Sequence, residues 1–204
     1  MSPRTKEQND AIREMRMKQI MHAAAQVYLE KGMQLEVRDV ADKAELGYGT
    51  VYHYYKNKHM LLEDLLWDAL DIAEKTIQPD GDPRDARLPR AELLCRRLLG
   101  GVMAQPSMFI LLKTVADNFH HFPGNRFGKL SEEFQKRIFS PLASAVREEL
   151  DAASPEITAN VLFGSLIGCA ALAIHHQTQA ELDADRVVAM IFSGLRPRER
   201  EQTW

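Results

Sequence analysis

The stretch GYGTVYHYYKNK, residues 47–58, decides how this sequence reads. Four of the chain's five tyrosines, Tyr48, Tyr52, Tyr54 and Tyr55, fall within it, together with His53, Lys56 and Lys58. A packed core favours Leu, Ile or Phe. Phenolic hydroxyls at this density need polar partners, and nucleic-acid phosphate is one such partner. Lys56-Asn57 breaks the stretch, and Asn57 is placed to cap a following helix.

Upstream, the spacing predicts a helix that starts after Thr5, with Gln8 completing a capping box, and ends at Lys31 before Gly32. Ile20, Ala23, Ala24, Val27 and Tyr28 form its apolar face. A short second helix is expected over Val37–Ala44. Its start is poorly capped, because Leu35 and Glu36 stand where Ser or Thr would serve. The link Glu45-Leu46-Gly47 leads to a third helix over Gly49–Tyr55. Two short helices joined by a tight turn behind a long supporting helix make a helix-turn-helix, and the small Ala41 lets them approach closely.

On a wheel of the third helix, Tyr55 lies about 40° from Val51, so both face the core. Gly49, Thr50 and His53 point away, with Tyr52 and Tyr54 on the two flanks. The outer side suits a DNA groove and the flanking hydroxyls its phosphates. Gly49 removes bulk at the tip, and Thr50 offers a hydroxyl and a methyl group to base edges. Lys58 lies in the first turn of the fourth helix. A cation there opposes the helix dipole unless a phosphate docks beside it; the plainer alternative is a solvated lysine.

These residues resemble the head of TetR-type transcriptional regulators. The resemblance covers residues 13–62. Its matching elements are Val27-Tyr28-Leu29-Glu30-Lys31-Gly32, Val37-Arg38-Asp39-Val40-Ala41, the third helix through Tyr55, Lys56-Asn57-Lys58 and Leu61-Leu62. It implies DNA contact by Thr50, Tyr52, Tyr54 and Lys58, with Arg38 and His53 as further candidates; Gly49 at the tip and Lys56 complete the expected DNA-binding set. One departure lies in the turn, where the family often carries Gly and then Ser and this sequence has Glu45 and Gly47. Residues 63–204 match only in helix count and length.

The 204 residues carry a net charge of −3. Residues 1–60 hold ten Lys/Arg and eight Asp/Glu, leaving sixteen and twenty-one for the remainder, so a mildly basic head sits on an acidic body. That polarity suits a head that meets an anion. Cys95 and Cys169 form neither a disulfide framework nor a metal knuckle, and fit a reducing compartment. Cys169, among small apolar residues, reads as buried and inert. No membrane-length apolar run and no signal peptide is read from the sequence, so no membrane partner is expected and a cytoplasmic location is.

Beyond the head, helices are expected from Asn57 to Ile77, Arg90–Gln105, Ser107–His120, Ser131–Ala152, Pro155–Gln177 and Asp183–Leu195. A Pro-rich linker spans Gln78–Pro89, and Pro141 should kink or split its helix. The expected fold is all-α with about nine helices: a helix-turn-helix domain over 1–60 and a helical effector-binding and dimerisation domain over 61–204.

Small residues alternate with large apolar ones over Pro155–Gln177, which allows close helix approach. With the final helix this places Leu162, Ser165, Leu166, Gly168, Leu172, Val188, Ile191, Phe192 and Leu195 at a dimer interface; the two-fold bundle itself is what the resemblance implies. The alternative is burial within one chain. An apolar effector pocket could be lined by Met103, Phe109, Leu112, Phe119, Phe134 and Phe163, although such residues at helical spacing also make ordinary core. The pairs His120-His121 and His175-His176 point about 100° apart within each pair and lack a companion carboxylate or thiol, so no metal site or cofactor is expected.

The expected function is a homodimeric, ligand-responsive repressor of a palindromic operator, without enzymatic activity. The alternatives are an activator of the same type, an all-helical small-molecule or metal-binding protein, and a helical module whose head binds protein.

Overall fold

The computed structural model describes residues 5–78, 87–117, 127–150, 154–176, 178 and 182–195. Among these no strand occurs, as the helical periodicity predicts. The head comprises α1 (Lys6–Lys31), a 3₁₀ turn (Gly32–Gln34), α2 (Val37–Lys43) and α3 (Tyr48–Tyr54). α4 (Lys58–Ile77) leads into α5 (Arg90–Ala104), α6 (Pro106–Ala116), α7 (Gly128–Phe134), α8 (Ser140–Glu149), α9 (Pro155–His175) and α10 (Ala184–Leu195).

Thr5 and Gln8 form the reciprocal capping box of α1, with bonds of 3.1 and 3.3 Å. The start of α2 is better supported than its sequence suggests. Asp39, in its first turn, accepts from the Glu36 backbone N–H at 3.0 Å and pairs with Lys31 at 2.7 Å. The Lys31 bond, followed by that N–H, holds the Asp39 carboxyl below its ordinary pKa.

The turn after α2 is a Schellman motif. Leu46 N–H bonds Ala41 C=O and Glu45 N–H bonds Asp42 C=O, which puts Glu45 in the left-handed region at φ 54. That position favours glycine, because a Cβ crowds the following carbonyl. Relief of the clash exceeds the extra entropy that glycine loses on folding. Glu45→Gly should therefore stabilise the chain by about 0.5–1 kcal/mol, raising the melting temperature by about 1–4 °C in a circular-dichroism melt. An unchanged or lower melting temperature would contradict this.

Ile20, Ala24, Leu35, Val40, Ala41, Val51, Leu61 and Leu62 make the head's core, each fully buried. Tyr55 caps α3 in extended conformation and is buried beside Val51, as the wheel predicts. Its hydroxyl donates to Asp64 at 3.1 Å. Burial, and then the Asp64 charge, push its pKa well up, so it remains a neutral donor.

α5 and α6 meet at a bend of 117°. Gly101 sits at the crossing, where a Cβ would lie 2.8 Å from Met108 Cε and 2.9 Å from Thr76 Cγ2. Charged side chains tie the layers together. Arg137 reaches Asp71 at 2.6 Å and Glu74 at 2.5 Å on α4, and Glu149 accepts from the free N–H groups of Arg90 and Ala91 at the start of α5.

The expected helix divides just before Pro141, which falls in the first turn of α8. A π turn at Gln135–Phe139 joins α7 to α8, with helical dihedrals at Phe134, Gln135, Phe139 and Ser140. The widened turn accommodates a residue that has no N–H to give and whose ring crowds the preceding carbonyls.

α9 departs from the expectation that nothing is long and apolar enough to span a membrane. Its 21 residues include an 18-residue window of mean hydropathy 2.0, of which 33% is buried. One face packs on α5, α6 and α8, which accounts for part of that composition. Cys169, expected to be buried, is less so than Cys95. Cys95 is fully buried, with its thiol pushed up to about 12 by burial, whereas Cys169 is half-buried.

Candidate nucleic-acid interface

α3 presents its outer face to solvent because Val51 and Tyr55 anchor the inner one. Gly49, Tyr52 and His53 are exposed, and Thr50 and Tyr54 are half-buried. The two flanking tyrosines separate as expected. Tyr54 lies toward α1, sharing a small hollow with Arg13 and Tyr55 and meeting His53 edge to face at 5.5 Å. Tyr52 turns the other way, toward α2 and the start of α4.

There it joins a column that sequence spacing did not assign. Tyr48 and Tyr52 stack with centroids 5.4 Å apart and planes at 30°. The Arg38 guanidinium lies 5.5 Å from the Tyr48 ring centre, and Lys56 Nζ lies 4.7 Å from that of Tyr52. Arg38, Tyr48, Tyr52 and Lys56 thus run as cation, ring, ring, cation along one flank of α3. Each cation–π contact is worth about 0.5–1 kcal/mol at an exposed site, which is enough to bias rotamers. The signal was present in the sequence: Tyr48, Tyr52 and Lys56 are spaced by four. It was missed because α3 starts one residue earlier than expected, which puts Tyr48 on the helix.

Lys58 corrects its expected role. Its ammonium donates to Met33 C=O at 3.0 Å and pairs with Glu36 at 3.1 Å, with the side chain 25% exposed. A cation at a helix N-terminus is repelled by the dipole, and this carbonyl and carboxylate offset the repulsion. In this arrangement Lys58 pins α4 to the link before α2 and is not offered to a phosphate. Asn57 caps α4 as predicted, accepting from Met60 N–H at 3.0 Å.

The residues expected at an effector pocket fall mostly into packed core. Phe109, Leu112, Phe134 and Phe163 are buried, and Phe163 meets Phe134 and Phe139 edge to face. Met103 is half-buried against the same core, and Phe119 lies outside the described residues. A cleft of about 900 Å³ opens instead between α1, α6 and α9, and of those six residues only Phe109 lines it.

The expected dimer residues divide in two. Leu162, Leu166, Val188 and Phe192 are buried within the subunit and cannot present a surface to a second one. Ser165, Ile191 and Leu195 are half-buried, while Gly168 and Leu172 are exposed. Gly168 and Leu172 belong to the face of α9 that stays open, which also carries Ile157 at 65% and Val161 at 54% exposure and Gly164, none of them in the expected set; Leu172 is 63% exposed. Met190 of α10 is also an exposed apolar side chain, at 67%. Helical spacing by itself could not say which of two apolar faces turns inward.

Among the described residues no group of three or more His, Cys, Asp or Glu side chains assembles around a metal position. His175 and His176 meet edge to face, and His120-His121 lies outside the described residues.

Residues 20–65 match the family model of bacterial regulatory proteins, tetR family. The HTH-type transcriptional repressor KstR2 of Mycolicibacterium smegmatis is 35% identical over 57 residues, a match that spans 28% of this chain and only 28% of that relative. Solved structures match at full length. AibR, solved with isovaleryl coenzyme A and operator DNA, aligns over 88% of this chain and 97% of its own with a TM-score of 0.68 at 16% identity. The fatty acid degradation regulator FadR of Bacillus halodurans aligns over 90% and 97% with a TM-score of 0.64 at 19% identity. The family match is thus to the head, residues 20–65, and the fold of the described residues is that of these solved regulators.

Proposed function

We propose that this chain is a homodimeric repressor, with a DNA-binding head over 1–60 and a ligand-responsive body over 61–204, acting in the cytoplasm on a palindromic operator. The carrying observation is the outer face of α3. A surface with Gly49, Thr50 and His53 at its centre is flanked by Tyr54 on one side and by the Arg38–Tyr48–Tyr52–Lys56 column on the other. The centre suits base edges and the flanks suit the phosphates of the two strands. Lys58 supports the site from behind by holding α4 to the α2 link.

The open stripe on α9 supports dimerisation. Apolar side chains and glycines on one exposed face are what a two-fold helix pair buries, and two-fold symmetry then requires a palindromic site. The match to AibR, whose structure contains both an acyl coenzyme A and operator DNA, supports a small-molecule effector here. α4 joins head to body, so a ligand that fits the body better with the heads splayed would weaken operator binding through that difference in affinity.

The test is a mobility-shift titration of the purified protein on a palindromic fragment from upstream of its own gene. A shift that weakens steeply with salt is expected, since phosphate contacts release counterions. Absence of any salt-dependent binding overturns the reading in favour of a protein-binding module.

A further inference from the structure

The cleft between α1, α6 and α9 has walls from both parts of the molecule. Tyr28 and Leu29 come from the head; Phe109, Ile110 and Lys113 of α6 and Leu172 of α9 come from the body. Its volume, about 900 Å³, falls in the range of ligand sites. Leu29 and Leu172 stand 38% and 63% exposed. The floor is formed by Phe109 and Ile110, so an alkyl chain laid on it would cover apolar surface on both sides.

The polar groups at the rim are asymmetric. Lys31 is held by Asp39 at 2.7 Å. Lys113 is exposed, and among the described residues it joins no ion pair, not even with Asp117 one turn on. The Thr114 hydroxyl is spent on its own helix, donating to Ile110 C=O at 2.6 Å. The rim therefore carries one unpaired ammonium, Lys113, with the Asp117 carboxylate on the Tyr28 side and His175 beside it, around an apolar floor.

We propose that this junction cleft binds an amphiphilic anion, with a medium-length alkyl chain lying between Leu29, Phe109, Ile110 and Ile174 and its carboxylate on Lys113. A ligand seated there touches head and body at once. It braces the head in the orientation seen here and so changes operator affinity, and by linkage operator DNA changes ligand affinity by the same factor. The coupling rests on the repressor reading; the binding does not.

The experiment uses decanoate as the probe, with decanol and decyltrimethylammonium as neutral and cationic controls, by calorimetry on the full chain. Decanoate is expected to bind at least tenfold more tightly than either control. Lys113→Glu, at an exposed position, should weaken it at least tenfold. Leu29→Trp, which fills the cleft from the head side, should weaken it similarly, while Phe134→Leu in the body core leaves it unchanged. The proposal is overturned if decanoate does not bind, if it binds no better than decanol, or if Phe134→Leu weakens it and Lys113→Glu and Leu29→Trp do not. Operator shifts without decanoate, run beside these, report on the repressor reading separately.

Discussion

Gly168→Glu should give a folded chain that is monomeric and has lost operator binding. Nothing lies within 4 Å of a Cβ placed on Gly168, so the subunit accommodates a side chain there. Glutamate also forms helix better than glycine by roughly half a kcal/mol, so α9 itself gains. The proposed dimer is affected in the opposite sense. Gly164 and Gly168 sit in the middle of the exposed stripe bounded by Ile157, Val161 and Leu172. Where two copies of this stripe cross, a glutamate from each subunit adds bulk and brings like charges together in an apolar contact, which costs several kcal/mol. A monomer reaches one half-site at a time and loses the effective concentration that a tethered second head provides, so operator affinity should fall by about a thousandfold or more. Light scattering on a sizing column reads the mass, and circular dichroism confirms that helix content is kept. A Gly168→Glu protein that remains dimeric would place the interface elsewhere.

The second large effect is expected from Tyr52→Ala. Tyr52 is 41% exposed, so its removal barely touches the core, and the melting temperature should move by less than about 2 °C. Its loss breaks the column in the middle. Tyr48 loses its stacking partner, Lys56 loses the ring that orients it, and a flanking hydroxyl is gone. If each half-site loses about 1–1.5 kcal/mol, the dimer loses about 2–3 kcal/mol, or roughly 30- to 150-fold in operator affinity. Tyr52→Phe keeps the stack and removes the hydroxyl, so it separates orientation from direct phosphate contact. Fluorescence anisotropy with a labelled operator measures both variants. Wild-type affinity in Tyr52→Ala would remove the column from the interface.

The head was legible in the sequence because its determinants are local. The Thr5 box, the Gly32 stop, the Asn57 cap and the placement of Val51 and Tyr55 on one side of α3 all follow from spacings of three and four residues. Where local reading failed, the partner came from a distance or from backbone geometry. Asp39 reinforces the start of α2 through Lys31 of α1. Tyr48 entered the interface only because α3 begins at Tyr48, letting its ring stack on Tyr52 beneath Arg38 of α2. Lys58, read as a phosphate contact from its helix position, is committed to Met33 and Glu36, which are near it only in the folded chain.

The body shows the same division more sharply. Its helices and their approximate ends follow from periodicity and proline placement. α9, however, is apolar nearly all round, so its sequence contains no rule for choosing an inner face. Packing on α5, α6 and α8 made that choice, burying Leu162 and Leu166 and leaving Val161, Gly168 and Leu172 outside. The cleft at the head–body junction was likewise beyond reach, because its walls come from helices more than a hundred residues apart. In this protein the local code set helix identity, caps and the solvent-facing side of α3. Tertiary packing decided which surfaces remain open, because burial depends on the shapes of neighbours that no window of sequence contains.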